Sequence, residues 1–389
     1  MRPPLFTLVI LFCNGLLGQT NIAEIAELPA EIKETSGLLF YNDNLITHND
    51  SGNAPLLYEI DRHTGTILRV VRVKNAINSD WEDITQDDDY IYVGDFGNNN
   101  GDREDLHVLK ISKQAYNSSN EVDAERINFR YADQESFSPT TNSDYDAEAI
   151  YAKGDYLVIL TKQWQQMGTV AYKIPKTPGD YVIAPFDTYQ IDGLVTGASY
   201  NAIKNELYLV GYSKFLNPFF VSVFGLQADS IFNNEVIKTV LNIEPAQVEA
   251  VSVVSENEVY LSSEELINEP LINTKSRLFK FTLDENEDVE EETEEPEEAN
   301  EESIPNKKEN TNALILYKEF RSPYLNYSLT TDKPLIGMGV FNASGVLITY
   351  IPLEQLSGNS LDISSYTKAI YYLSFFLVDG VIAAPFIKD

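Results

Sequence analysis

Cysteine, histidine and basic residues are all scarce in this 389-residue chain, and each shortage removes a class of chemistry. The single cysteine, Cys13, sits in an N-terminal apolar run. Beyond that run there is no thiolate nucleophile, no disulfide and no cysteine-based zinc site. The three histidines are His48, His63 and His107, and His63 lies in the turn-like stretch Asp61-Arg62-His63-Thr64-Gly65. A histidine-rich zinc site is therefore not expected. A Ser-His-Asp triad would have to draw on His48, and no Gly-x-Ser-x-Gly elbow is present. Neither a phosphate-cradling Gly-Lys-Ser/Thr loop nor a Gly-x-Gly-x-x-Gly dinucleotide signature occurs. Lysine and arginine together number 28 against 60 aspartates and glutamates, a formal net charge of -32. Such a surface repels nucleic acid and anionic lipid, so no nucleic-acid partner is expected.

What the chain has in quantity is material for strands. Hydrophobic residues make up 43%, with 23 tyrosines and 19 phenylalanines set among valines and isoleucines. That composition favours sheets over helices, and the length suggests more than one domain. Residues 1–19 read as a secretory signal. Arg2 gives a positive start, Leu5 to Phe12 an apolar centre, and Gly15 to Gln19 small residues for cleavage. The apolar part is shorter than the ~20 residues that span a bilayer, which weighs against a membrane anchor. Lipid attachment at Cys13 is the other alternative, but bulky Phe12 stands where a small residue is usual. No later segment is long and apolar enough to cross a membrane, so no transmembrane segment is expected in the mature chain.

Between residues 20 and 283 a pattern recurs. Ser36-Gly37-Leu38-Leu39, Trp81-Glu82-Asp83-Ile84, Ala147-Glu148-Ala149-Ile150, Thr196-Gly197-Ala198-Ser199 and Val248-Glu249-Ala250-Val251 each open a unit. Each is followed by an apolar run, such as Tyr90 to Asp95 or Tyr156 to Leu160, and then by an alternating strand. A fourth strand follows in several units, as at Ile67 to Val73. Repeats of this length with about four strands each are the signature of propeller blades. Five units are visible. The alternating segment Asn21 to Leu28 precedes the first and would supply the missing outer strand of the last, joining the two ends of the domain. The expected fold is an all-β β-propeller of five blades, or six if residues 112–145 hide a further hairpin. A β-sandwich with extra strands is the competing architecture.

Residues 284–312 form a linker. From Asp284 to Glu302 there are 13 acidic side chains and no basic one. Such a stretch buries too little apolar surface to offset its chain entropy and extends by self-repulsion. A calcium-binding tail is a sharper reading, but plain glutamate runs are usually just solvated. Alternation returns over residues 313–389, which read as a small C-terminal β-sandwich with a turn at Asn342-Ala343-Ser344-Gly345.

That last region carries a resemblance. Gly339-Val340-Phe341-Asn342-Ala343-Ser344-Gly345-Val346-Leu347 is followed by Leu361-Asp362-Ile363-Ser364-Ser365-Tyr366, then Ile370-Tyr371-Tyr372-Leu373, and finally Pro385-Phe386-Ile387-Lys388. In order and terminal placement these motifs resemble the C-terminal sorting domain of type IX secretion cargo. The resemblance implies the type IX secretion machinery as a partner, passage through the outer membrane, and a secreted or cell-surface location. The earlier region is similar to uncharacterised exported propellers found with such tails, through His48-Asn49-Asp50-Ser51-Gly52-Asn53 and Asp95-Phe96-Gly97-Asn98-Asn99-Asn100-Gly101-Asp102.

Chemistry in a propeller gathers at the mouth of the central channel. Aligning the units places Glu82, Glu148 and Glu249 at one equivalent position, with Gly37 and Gly197 or Ala198 near it in the other two. Carboxylates converging from three blades repel unless a proton or cation intervenes. Ca²⁺, with its six to eight oxygen ligands, fits such a ring, which makes these three the candidate metal ligands and calcium the candidate cofactor. The bland alternative is that they accept hydrogen bonds from backbone amides of the next blade. Loops after each second strand should share one face and supply the ligand-contact candidates Asn49, Asp50, Asp95, Lys162, Tyr212 and Glu264. The repeated Asp-x-Gly-Asn at Asp50 to Asn53 and Asp95 to Asn98 is also an ordinary turn signature. Two functions remain open at this stage. One is a surface binding module for a small molecule, glycan or protein. The other is a calcium-dependent propeller hydrolase of the lactonase, esterase or phytase-like kind.

Overall fold

The computed structural model describes residues 22–214, 216–227, 229–268, 272–283, 313–317, 324–331, 333–342, 347–356, 358–377 and 380–388. The expected signal (1–19) and acidic linker (284–312) lie outside them. The described chain is all-β apart from one six-residue α-helix, Lys113–Ser118, and short 3₁₀ turns.

Five sheets of four or five strands, and a two-stranded hairpin of Leu266–Asn268 with Ile272–Thr274, account for the described strands of residues 22–283. The first runs Thr35–Tyr41, Asn44–Asn49, Leu56–Ile60, Ile67–Val73; the second Trp81–Gln86, Tyr90–Asp95, His107–Ser112, Glu125–Tyr131. The third is Asp146–Lys153, Tyr156–Lys162, Thr169–Pro175, Pro185–Tyr189, and the fourth Leu194–Asn201, Glu206–Tyr212, Pro218–Val223, Val236–Val240. In the fifth, Val248–Ser255, Glu258–Ser263 and Arg277–Thr282 are joined by the N-terminal strand Ile22–Glu27, which pairs antiparallel with Arg277–Thr282. The leading strand of each sheet lies against that of the next, and the fifth returns to the first. The result is a β-propeller-like arrangement.

The apolar periodicity explains why these sheets stand face to face. Along Tyr90–Asp95 and its equivalents both faces of the strand are apolar, and successive residues enter different clusters. Ile91 and Val93 pack with Leu39, Ile46 and Leu57 of the first sheet, whereas Tyr92 packs with Leu157 and Ile159 of the third. Further clusters fill the spaces between third and fourth, fourth and fifth, and fifth and first sheets. Each large apolar side chain fully buried this way is worth roughly 1.5–3 kcal/mol relative to exposure.

Residues 112–145 join the second and third sheets and do not build a separate sheet. They contain the helix, whose Tyr116 is buried, the short strand Glu121–Val122, and the outer strand Glu125–Tyr131. Glu121–Val122 pairs in parallel with Ile67–Val73 of the first sheet, and Gly179–Ile183, from the third sheet's connection, pairs in parallel with Glu125–Tyr131 of the second.

The C-terminal residues form a three-stranded sheet (Ala313–Tyr317, Tyr324–Thr330, Ser360–Asp362) and a four-stranded one (Leu347–Pro352, Leu335–Asn342, Ala369–Leu377, Gly380–Lys388). Leu325 and Tyr327 of the former share a core with Met338, Val340, Leu373 and Phe375 of the latter. No helix among the described residues is long and apolar enough to cross a membrane.

Candidate metal centre

Strand register defines the site. Thr35 pairs with Asn49, Trp81 with Asp95, Ala147 with Thr161, Val195 with Gly211 and Val248 with Ser263. Immediately after these pairs all five leading strands slip register, a β-bulge that re-aims the extra residue out of the ladder. The bulges fall at Ser36, Glu82, Glu148, Thr196 and Glu249. Two residues earlier, on the same side of an extended chain, stand Glu34, Asp80, Asp146, Leu194 and Gln247. The residues that follow the paired positions of the second strands are Asp50, Phe96, Lys162, Tyr212 and Glu264. All of these positions therefore belong to one end of the five sheets.

Two carboxylate groups form there and share Glu82. Asp50, Asp80 and Glu82 can bring one oxygen each within 4.8 Å of one another, and so can Glu82, Asp146 and Glu148. In the second group Asp146 and Glu148 are well supplied with partners. The Lys162 ammonium donates to Glu148 Oε1 at 2.9 Å, and both side chains are buried. Trp164 Nε1–H donates to Asp146 Oδ2 at 2.8 Å, and the Asn98 amide donates to Oδ1 at 2.5 Å. Gln247 donates to Glu249 Oε1 and to the Tyr212 hydroxyl, both at 3.3 Å.

The first group is not. Among the described residues no N–H or O–H donates to the Asp80 or Glu82 carboxyl, although Glu82 is only 4% exposed. Asp50 receives only the amide of Ser51. The space beside them is shaped by Gly97. A Cβ there would stand 2.0 Å from Glu82 Oε1 and 2.5 Å from Asp80 Oδ2, so the two carboxylates rest on bare backbone. Asp80 is held in place through its main chain. Its amide donates to Asp95 Oδ1 at 3.2 Å, and its carbonyl accepts from Phe96 and Gly97.

Electrostatics follow from burial and crowding. Burial first, then Asp50 and Asp146, raises Asp80 from 3.8 to about 7. Burial, Glu148, Asp50 and Asp80 push Glu82 well above the usual carboxylate range. Glu264 is raised by burial, Glu249 and Asp50. Burial works to lower Lys162, but Glu148, Tyr212 and Glu249 outweigh it and hold the ammonium well above the ordinary lysine value.

The expected backbone-capping role does exist, on other residues. Among the described residues no backbone amide donates to the side chains of Glu82, Glu148 or Glu249. Ser36 donates to the Glu82 carbonyl and Thr196 to the Val248 carbonyl, each at 2.6 Å across to the next sheet. Asp83, wholly buried, accepts from the amides of Ile84, Ile150 and Ala198 and so ties three sheets together.

Of the ligand-contact candidates, Asp50, Lys162, Tyr212 and Glu264 stand at the cluster. Asn49 and Asp95 do not. Asn49 is buried and bonds the carbonyl of Glu31 and the amide of Glu34. Asp95 has no exposure and is taken up by the amides of Ser79 and Asp80 and by Arg103 Nη2 at 2.8 Å. Sequence reasoning missed Asp80 and Asp146. Their signal was the spacing Asp80-x-Glu82 and Asp146-x-Glu148, which puts both carboxylates on one side of a strand. The group as a whole can hold a metal ion.

No known protein family matches the chain, and no curated protein does. Among solved structures it is similar to a PQQ-bound aldose sugar dehydrogenase from Streptomyces coelicolor, at 10% identity and a TM-score of 0.42, over 67% of this chain and 97% of that one. A luciferin-regenerating enzyme is similar at 10% identity and 0.37, over 66% and 94%. Likeness at these scores says nothing of what this chain binds or does.

Proposed function

We propose that this chain is an exported or cell-surface β-propeller of five blades that binds a divalent cation, calcium, at Asp50, Asp80 and Glu82, and acts there as a binding module. The observation that carries the reading is the pair of crowded carboxyls, Asp80 and Glu82, set on the bare backbone of Gly97 with no described donor to neutralise them. Calcium is favoured over magnesium because it accepts dense, flexible sets of carboxylate oxygens, whereas magnesium keeps several of its waters. Glu148, paired with Lys162, and Glu249, which accepts from Gln247, are also read from the sequence as metal ligands and take no primary part. The C-terminal sheets are read as a β-sandwich that delivers the chain through type IX secretion. Calorimetric titration of calcium into chelator-treated protein tests the site. One tight ion per chain, lost in Asp80→Asn, is expected; no heat of binding would remove the reading.

A calcium-dependent hydrolase is the second reading. It rests on the gathering of carboxylates with Lys162 and Tyr212 at one end of the five sheets. Turnover of an ester, lactone or phytate that requires calcium and is lost in Asp80→Asn would favour it.

A further inference from the structure

The second carboxylate group poses its own problem. Glu82, Asp146 and Glu148 are as tightly gathered as the calcium ligands, and all three are buried. Yet one of them, Glu148, already has a cation. The Lys162 ammonium is 2.9 Å from Glu148 Oε1, lies 4.7 Å from the centre of the Trp164 ring and 5.9 Å from that of Tyr212, and is only 5% exposed. A buried ammonium held by one carboxylate and flanked by two aromatic rings is the protein's own version of a bound ion. Lysine suits this use because its ammonium is a compact point charge on a flexible stem.

We propose that the ammonium of Lys162, paired with Glu148, supplies the positive charge that a second divalent ion would otherwise bring to Glu82, Asp146 and Glu148, and that this lysine limits the channel mouth to one divalent ion. Lys162 is thus a specificity-determining residue. It neutralises the half of the cluster that borders Glu249 and leaves Glu82 free to face Asp50 and Asp80. Its register fits the role, since Asp50, Phe96, Tyr212 and Glu264 occupy the same place in the other sheets and none is a cation. The inference rests on the calcium reading above.

Methionine ends one heavy atom short of the ammonium, so Lys162→Met vacates the position while keeping the apolar stem. Calcium stoichiometry is measured by calorimetry on the mature chain, with circular dichroism as the check of folding. The expected results are one ion for the wild type, two for Lys162→Met, and one for Lys162→Arg. The double variant Lys162→Met with Glu148→Gln, which removes both charges of the pair, should return to one. A folded Lys162→Met protein that binds one ion or none overturns the proposal, as does a wild type that binds two. If the single variant does not fold, Lys162→Gln, which removes the charge but keeps a polar end, decides: two ions support the proposal, and one or none overturns it. A wild type that binds no calcium overturns the calcium reading itself, which separates the two failures.

Discussion

Replacing Asp80 by asparagine should stabilise the calcium-free protein and weaken its response to calcium. The carboxyl is raised from 3.8 to about 7, chiefly by burial and by Asp50 and Asp146. Because the folded state holds this proton more tightly than the unfolded chain, the fold is penalised as pH rises through the window from about 4 to about 7, and fully above it. Three units correspond to roughly 4 kcal/mol; partial solvent access reduces the usable part to about 2 kcal/mol. For a domain of this size that is a rise in Tm of about 4–8 °C at pH 8, with little difference near pH 4. The main-chain bonds of Asp80 survive the change. Calcium at a hundred times its dissociation constant should add about 2.7 kcal/mol to the wild type and much less to the variant. Scanning calorimetry at pH 5, 6.5 and 8, with chelator and with calcium, reads both effects. A variant less stable than wild type in chelator at pH 8, or one with an unchanged calcium shift, would refute the reasoning.

Gly97→Ala should displace Glu82 and Asp80 and lower calcium affinity at least tenfold while leaving the chelated protein folded; titration and circular dichroism check this. His48 is held neutral by burial, its pKa lowered from 6.5 to about 4. Its contribution to stability is therefore lost as pH falls from about 6.5 to about 4, by up to roughly 3 kcal/mol, and His48→Gln should show a smaller fall in Tm over that interval. Deleting residues 313–389 should abolish delivery to the cell surface while the remaining domain still melts cooperatively. Surface labelling of cells expressing both forms decides it, and surface display of the truncated form would remove the sorting role.

Much of the architecture was legible because strands buried on both faces read as continuous apolar runs between turn residues. Asn21 to Leu28 alternates, and the described strand Ile22–Glu27 does complete the fifth sheet. The shared position of Glu82, Glu148 and Glu249 was visible in the unit alignment, since the bulge that carries it recurs in every leading strand. What could not be read was which neighbours answer each carboxylate. Lys162 lies 14 residues beyond Glu148 and reaches it only because the two strands pair with Asp146 opposite Lys162. Asp80 depends on a loop, Gly97 to Asp105, that is fixed by Arg103 through Asp95, the Gly97 carbonyl and Asp105. Such loop-borne partners leave no periodic trace. Asp95 and Asn49 looked like ligand contacts for the same reason: polar residues at strand ends serve turns and sites alike, and only their partners, backbone groups and Arg103, separate them.

The most direct measurement is a crystal structure of the chain grown with calcium and repeated with an anomalously scattering substitute such as manganese or terbium. The account predicts one strong peak bounded by Asp50, Asp80 and Glu82, with calcium–oxygen distances of about 2.3–2.6 Å and Lys162 still on Glu148. A peak between Glu148 and Glu249, or no peak among these carboxylates, would contradict it.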